Sequence, residues 1–324
     1  MLLPSFPGTE PPDWALRLLA EGLGGITYFA YNVAGSEDGG DEQLAALSAR
    51  LRAERPGAVL AIDEEAGDVS RLDAERGGSW PGALALGAVD DVHATRAVAG
   101  AIGARLAAAG VTLDFAPVAD VNSDPRNPVI GVRSFGDDPA LVGRHVAAFV
   151  EGLQAAGVAA CAKHFPGHGD TTVDSHHALP RVDVGLETLR ARELRPFRDA
   201  VAAGVRAVMT AHLVVAALDE RPATVSPRAL ALLRDELDST ERSSRTRSRC
   251  AASQPPWAWS RAPSRRSPPA STRSAWATTC TRRRSRRSPT GSSTRWRPDG
   301  CRRSGSPRQP PERRRWEPNP ACAQ

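Results

Sequence analysis

The chain has 324 residues and a formal net charge of +5 at pH 7, which is enough for one large barrel or two ordinary domains. Residues 238–324 hold 21 of the 42 basic residues and 5 of the 37 acidic ones, so they carry +16 and residues 1–237 carry −11. No stretch approaches the roughly 20 apolar residues of a membrane-spanning helix, so composition argues against a membrane protein and for an acidic, soluble body at residues 1–237.

The start of the chain and its cysteines indicate a cytoplasmic protein. Residues 1–12 have neither a basic start nor an apolar run of signal-peptide length. Only Cys161 lies in the body, inside an apolar run that predicts a buried thiol, and the other four cysteines lie beyond residue 237. There is no disulfide framework and no C-x-x-C spacing for a metal.

Short apolar runs alternate with longer amphipathic stretches along the body. The runs predict strands at residues 25–30, 58–63, 112–118, 159–165 and 206–212, with residues 1–3 as the stub of an earlier one. Apolar residues three or four apart predict helices at 14–21, 41–53, 91–109, 139–156 and 185–203. The strands are apolar throughout, as parallel strands covered on both faces are. This alternation predicts an α/β fold, either a (β/α)8 barrel or a doubly wound sheet.

Polar residues just beyond the strand ends distinguish these two folds. They follow four different predicted strands: Asp63, Glu64, Asp120, Asn122, Lys163, His164 and His212. In a barrel the loops after the strands build one active-site face, whereas a doubly wound sheet concentrates such residues at one switch point. We therefore predict a TIM-like (β/α)8 barrel that is incomplete, with about six of the eight strands of that fold on residues 1–237.

The densest concentration of reactive side chains is the motif KHFPGHGDTTVDSHHALP at residues 163–180, which follows a predicted strand. Its four His and two Asp residues could form a metal site, could belong to a polar loop with no chemistry, or could perform acid/base catalysis. For the third interpretation, Asp174 and His176 are two residues apart and face the same way if locally extended. A carboxylate beside an imidazole orients it and raises its pKa, which suits proton transfer near neutral pH.

The motif resembles the signature of bacterial β-N-acetylglucosaminidases of glycoside hydrolase family 3, K-H-F-P-G-H-G followed by D-S-H. The segments at 62–72, 114–139 and 208–227 agree with that family in order and spacing, so the resemblance covers essentially all of residues 1–237. It implies a TIM-like barrel that removes terminal β-linked N-acetylglucosamine from glycans or muropeptides, as in recycling of cell-wall fragments. It also implies a retaining mechanism through a covalent glycosyl-enzyme, with no cofactor and no resident metal.

The resemblance also implies roles for individual residues. His176 would be the general acid/base, with Asp174 as its partner. The sugar would be held by five further residues: Asp63, Arg71, Arg133, Lys163 and His164. Each of these has a plain structural alternative, such as Asp63 capping the next element, Arg71 lying on the surface, or Arg133 pairing with Asp137 or Asp138.

Two residues depart from the family pattern D-Q-E-G-G-R-V, which reads DEEAGDV at residues 63–69. Ala66 stands in place of a glycine and Asp68 in place of an arginine. Neither change touches a proposed sugar ligand. Ala66 matters only if the backbone there requires a positive φ.

The family's nucleophile, an Asp at the end of the seventh strand, is missing. Residues 238–324 contain no Val, Ile, Leu, Phe, Met, Lys, His or Tyr, and such a composition cannot bury a core. We interpret this disordered tail as a gene translated out of frame. With GC-rich codons, reading one base earlier from Ser239 permits an apolar strand and the family pattern V-x-D-A-L-E-M, with the Asp codon spanning Arg245 and Thr246. We therefore expect this chain to fold poorly and to lack hydrolase activity.

Three other functions stay open on the sequence. A β-glucosidase of the same family would normally carry further domains and lack the D-S-H loop. A phosphorylase would pass the glycosyl group to phosphate instead of water. A non-catalytic sugar-binding barrel could carry the Arg- and Trp-containing tail as a nucleic-acid-binding arm, although we do not expect nucleic acid to be a partner.

Overall fold

A computed structural model describes residues 2–35, 40–172 and 179–237. Five parallel strands form one sheet in the order β1-β2-β3-β4-β6. They are β1 (Gly25–Thr27), β2 (Val59–Ile62), β3 (Leu113–Asp114), β4 (Ala159–Phe165) and β6 (Ala207–Thr210). All five predicted strands are therefore present, and each neighbour in space is also the next strand of the sheet along the chain, as in a (β/α)8 barrel.

Helices connect these strands. The bounds are α1 (Asp13–Ala20), α2 (Gly40–Glu54), α3 (Ala83–Val89), α4 (Val92–Ala108), α5 (Pro139–Ala155), α6 (Leu186–Thr188), α7 (Leu194–Ala202) and α8 (Pro227–Ala231). A π-helical turn, Leu189–Glu193, joins α6 to α7, and another, Leu232–Glu236, follows α8. The five predicted helices are confirmed to within two residues at each end, whereas α3 and α8 were not predicted.

Side-chain caps fix where the helices begin. The Asp91 carboxylate accepts hydrogen bonds from the amides of His93 and Ala94 at the start of α4. Asp138 does the same for Ala140 and Leu141 at the start of α5. An aspartate at this position satisfies amides that have no partner inside the helix and opposes the positive end of the helix dipole. The long helices α4 and α5 therefore have sharply defined first turns.

The hydrophobic core lies between the sheet and its covering helices. Phe165 at the end of β4 packs edge-to-face on Phe197 of α7, with ring centroids 5.3 Å apart, and both are fully buried. Phe149 and Leu153 of α5 are buried in the same core. Cys161 is a buried free thiol, as predicted, and burial raises its pKa to about 12. The apolar alternation read from the sequence thus corresponds to layers that are covered on both faces.

The two ends of the sheet differ from its centre. The described residues of the predicted N-terminal stub, Leu2 and Leu3, form no strand. The segment nevertheless runs beside β1, because Pro4 O accepts a hydrogen bond from Thr27 N at 2.9 Å. At the other end, β6 pairs with β4 and with no other strand of the described ranges. All four β6 residues are half-buried, whereas β2 and β4 are mostly buried. The sheet is thus a curved part of a barrel wall with an open edge at β6, which confirms the prediction of an incomplete TIM-like barrel.

A second, two-stranded parallel sheet pairs β5 (Arg181–Val182) with β7 (Val214–Val215). In the part of the chain that the structure describes, no helix is long and apolar enough to cross a membrane. The predicted disordered tail at residues 238–324 lies outside the described residues, so the division into two segments stays a prediction.

Candidate active site

Three acidic or basic side chains meet at the carboxyl ends of β2 and β4. Lys163 Nζ lies 2.6 Å from Asp63 Oδ1 and 2.5 Å from Glu65 Oε1. The Lys163 side chain is 1% exposed and Glu65 is 5% exposed, while Asp63 is 19% exposed and is the most accessible of the three. Burial lowers the pKa of Lys163, but the charges of Glu65 and Asp63 outweigh it and raise that pKa. The ammonium group is therefore held charged between two carboxylates.

Arg133 closes this cluster from the loop after β3. Its Nε and Nη2 donate to the two oxygens of Glu65 at 2.8 and 2.7 Å, a two-point pairing that fixes the guanidinium plane. Burial favours the neutral acid, but Lys163 and Arg133 outweigh burial and lower the pKa of Glu65 to about 2. Glu65 is therefore an ionised carboxylate between two cations. The exposed part of the Asp63 carboxylate remains available to a ligand.

Arg71 lies beside Asp63 on the same loop. Its Nη2 is 3.7 Å from Asp63 Oδ2, and its guanidinium carbon is 5.9 Å from the centre of the Phe29 ring. The side chain is 31% exposed, while its Nε is buried without a hydrogen-bond partner among the described residues. A guanidinium held over an aromatic face keeps donors free for a ligand.

Asp120, which follows β3, contacts two histidines at the carboxyl end of β4, one in the strand and one just beyond it. Its Oδ2 lies 2.6 Å from His164 Nδ1, and its Oδ1 accepts from the amides of His164 and His168 at 3.3 and 2.7 Å. Asp120 is fully buried, which favours the neutral acid, but His164 and His168 outweigh burial and lower its pKa. The carboxylate thus orients the His164 ring, whose side chain is 17% exposed.

Two glycines allow this backbone to fold tightly. Gly167 has φ +130, and a Cβ on Gly169 would clash with the carbonyl oxygen of Val121. Thr171 Oγ1 lies 2.7 Å from His168 Nδ1, and Asn127 Nδ2 donates to His168 O at 2.8 Å. The buried His168 therefore stabilises the turn, whereas His164 is partly exposed to solvent.

Two more buried acids, Asp114 and Glu64, lie near this cluster, and burial raises the pKa of each. Asp114 Oδ1 accepts from the amide of Glu64, while its Oδ2 has no partner among described groups. Asp114 is fully buried, and burial raises its pKa well above the usual range. Glu64 Oε2 accepts from Ser70 and from the amides of Arg71 and Leu72, and burial raises its pKa in spite of these hydrogen bonds. Glu64 shapes the loop that carries Arg71.

The structure brings all five predicted sugar ligands to one edge of the sheet: Asp63, Arg71, Arg133, Lys163 and His164. Arg133 pairs with Glu65 rather than with Asp137 or Asp138. The other two predicted residues, Asp174 and His176, belong to residues 173–178, which lie outside the described part. Their role as the acid/base pair stays a prediction.

Sequence reasoning missed Glu65 and treated Asp120 only as a polar residue beyond a strand. The signal for Glu65 was the run of three acids at residues 63–65, directly after an apolar strand. A strand-end acid two residues beyond another points to the same side as the first if the chain stays extended. Asp120 could not have been assigned, because its partners lie 44 and 48 residues away.

The backbone at residue 66 does have a positive φ, the conformation for which the family pattern has a glycine. Its φ is +69, in the left-handed region where a Cβ is unfavourable, at a cost of roughly 1–2 kcal/mol. The neighbouring Gly67 has φ +58, and a Cβ on it would lie 2.6 Å from Gly82 Cα. The departure at residue 66 is therefore a strained position, although it does not move a predicted sugar ligand.

The metal interpretation finds no support among the residues described. Within those ranges, no three His, Cys, Asp or Glu side chains lie close enough together to hold a metal ion. His176 and His177, which the metal interpretation would use, lie outside them.

The family of the chain follows from comparison with known proteins. Residues 13–239 match the model of the glycosyl hydrolase family 3 N-terminal domain. The chain belongs to this family. The polar cluster therefore lies at the carboxyl ends of the strands of a family 3 TIM-like barrel, where barrel enzymes carry their active sites.

Named relatives agree with the family. Beta-hexosaminidase A of Pseudoalteromonas piscicida is 39% identical over 249 residues, which are 71% of this chain and 41% of the relative. A solved family 3 β-N-acetylglucosaminidase from a Paenibacillus species is 45% identical, with a TM-score of 0.68 over 73% of this chain and 45% of that one. The chain thus spans less than half the length of either protein.

A third relative was solved with a sugar. NagZ of Neisseria gonorrhoeae, in complex with N-trifluoroacetyl-D-glucosamine, is 34% identical to this chain. The match has a TM-score of 0.67 and covers 73% of this chain and 71% of NagZ.

Proposed function

We propose that residues 1–237 form the sugar-binding body of a β-N-acetylglucosaminidase that takes terminal β-linked N-acetylglucosamine from glycans or muropeptides. The observation that carries the proposal is the buried Lys163, held within 2.6 Å of Asp63 beside the Arg133–Glu65 pair. Such a cluster costs stability to bury, so a barrel that carries it at its active-site end has a use for it. The relatives named beta-hexosaminidase support the sugar class.

The chemistry of the cluster suits a neutral sugar. Asp63 is anchored on Lys163 by one oxygen, which leaves its second oxygen to accept from a sugar hydroxyl. Arg71 and His164, the two partly exposed donors on either side, can bind neighbouring hydroxyls. Ionic hydrogen bonds to hydroxyls are stronger than neutral ones, and fixed groups lose little entropy when the sugar binds.

Catalysis would follow the retaining scheme. His176, oriented by Asp174, would protonate the leaving oxygen and then activate water, while an aspartate would attack the sugar carbon. This chain has no aspartate of the family pattern after residue 237, so we propose that it binds the sugar but does not cleave the glycosidic bond. Cell-wall recycling in the cytoplasm is the role we propose for the intact enzyme.

Titration calorimetry of the full chain with N-acetylglucosamine tests the sugar pocket. The change is Asp63→Asn, which keeps the shape but removes the charge that accepts from the hydroxyl and from Lys163. We expect binding to weaken by at least about tenfold, as loss of a hydrogen bond to a charged group does. The matched control is Asp68→Asn, because Asp68 is an exposed acid on the same loop, and it should leave the affinity unchanged.

Two results would overturn the proposal. One is a folded wild-type chain that does not bind N-acetylglucosamine at millimolar concentration. The other is an equal loss of affinity in both variants, which would place the sugar elsewhere. If the chain does not bind the sugar but binds DNA with an affinity that falls steeply as the salt concentration rises, the nucleic-acid-binding arm would be favoured instead.

A further inference from the structure

Glu193 is a buried acid that the proposed sugar pocket does not use. It is the last residue of the π-helical turn Leu189–Glu193 and is 1% exposed. Its Oε1 accepts a hydrogen bond from Arg192 Nε at 2.6 Å, while its Oε2 is buried and receives no hydrogen bond from the described residues. A buried carboxylate oxygen without a donor is destabilising, so the side chain is held in place by its surroundings.

Glu193 packs directly against the turn after β4. A Cβ added to Gly167 would lie 2.8 Å from Glu193 Cβ and 2.8 Å from its Oε2. The backbone of Gly167 therefore approaches the carboxylate as closely as its lack of a side chain allows. His164 and His168 flank this glycine and both bind Asp120. The carboxylate thus touches the backbone that sets where both histidines lie.

Arg192 extends this contact to the far end of the same turn. Its Nη2 forms an ion pair with Asp170 Oδ2 at 2.9 Å, without hydrogen-bond geometry, and Ser123 Oγ donates to Asp170 Oδ1 at 3.2 Å. The Arg192–Glu193 pair therefore holds the Gly167–Asp170 turn at its first and last residues.

We propose that Glu193 is a positioning residue that holds the Gly167–Asp170 turn, by packing under Gly167 and by orienting Arg192 on Asp170, and that its protonation sets how firmly the turn is held. The meaning of the turn for sugar binding, through His164, rests on the proposed function, whereas the mechanical link does not.

The charges around Glu193 make its protonation state responsive near neutral pH. Burial raises its pKa to about 7; Arg192 opposes this rise, and Asp120 and Asp170 add to it. His168 and Asp170 are the titratable groups within the turn, His164 precedes it in β4, and burial lowers the pKa of His168. Because the pKa of Glu193 in the folded turn exceeds its ordinary value of 4.5, the proton stabilises the closed turn. This stabilisation is complete below about pH 4.5 and is lost as the pH rises to about 7.

Amide hydrogen exchange of residues 166–172 in the full chain, corrected for intrinsic rates, tests the inference. In the wild type we expect protection at about pH 7 to be at least tenfold lower than at about pH 5, since one linked proton changes an equilibrium up to tenfold per pH unit. In Glu193→Gln, which copies the protonated acid, that pH dependence should be lost. His164 and His168 remain in both proteins, so the difference isolates Glu193.

The matched control is Glu187→Gln, because Glu187 is an exposed acid at the start of the same helical run, and it should keep the wild-type pH dependence. Wild-type protection that does not change with pH overturns the inference even if Glu193→Gln fails to fold. A folded Glu193→Gln that keeps the wild-type dependence also overturns it. Calorimetry with N-acetylglucosamine on the same samples separates the two proposals. No sugar binding together with the expected exchange pattern rejects the proposed function and leaves the role of Glu193 standing.

Discussion

The pKa values of two fully buried aspartates in one site are shifted in opposite directions because their partners differ. Asp114 has one amide donor and no ion-pair partner among the described residues, so burial dominates and raises its pKa. Asp120 is as deeply buried, but His164 and two backbone amides stabilise its charge and lower its pKa. Composition and spacing give no hint of this difference, because it depends on partners from another strand.

Asparagine substitutions measure the difference. Asp114→Asn replaces an acid whose pKa is raised by burial with an isosteric amide, so the free energy of unfolding should change by less than about 1 kcal/mol. Asp120→Asn removes a buried charge that accepts three hydrogen bonds, and it should lower that free energy by about 3 kcal/mol or more. Urea denaturation of both variants at pH 7 gives the two values. Equal effects would contradict the opposite directions of the two pKa shifts.

At the scale of elements, helices α4 and α5 meet through glycine. Gly152 of α5 faces the backbone of α4, and a Cβ there would clash with Arg96 O and lie 3.0 Å from Ala99 Cβ. Gly103 of α4 is similarly tight, with Leu153 O 3.0 Å from an added Cβ. The two helices therefore lie closer than larger residues would permit.

Alanine at this contact should force the helices apart. We expect Gly152→Ala to lower the free energy of unfolding by about 1–3 kcal/mol, the usual effect of overpacking. Gly57→Ala is the control, because an added Cβ there meets nothing within 4 Å, and it should leave stability unchanged or raise it by less than about 1 kcal/mol. Chemical denaturation compares them, and a Gly152→Ala chain as stable as the control would show that the contact is loose.

The elements also show how far sequence reasoning reached. The five strands and five long helices were predictable because apolar periodicity is set by which faces are covered. The side-chain caps at Asp91 and Asp138 also depend only on neighbouring residues, because each bonds amides two and three positions ahead. The role of Glu193, at the end of the π-helical turn, was not predictable. It depends on a contact with Gly167, which belongs to another element. The five predicted sugar ligands came from family resemblance, whereas the role of Arg192 emerges only when its three-dimensional partners are known.

At the scale of the whole molecule, the sheet is five strands of a fold that closes with eight. Strand β6 has an open edge within the described ranges, and an exposed edge promotes pairing with other chains. Residues 238–324 contain no Val, Ile or Leu, the side chains that further buried strands would need. The predicted sugar ligands can therefore be present in a chain whose residues beyond 237 do not contain the predicted nucleophile.

Turnover of a chromogenic β-N-acetylglucosaminide, by this chain and by a chain whose reading frame is restored between the codons for Glu236 and Thr246, tests this account most directly. We predict no turnover by the chain as it stands. The restored chain should release its chromophore, with free N-acetylglucosamine rather than sugar phosphate as the product. Steady turnover by the chain as it stands, or an inactive restored chain that still binds N-acetylglucosamine, would contradict the claim that residues 1–237 are the body of a hydrolase deprived of its nucleophile.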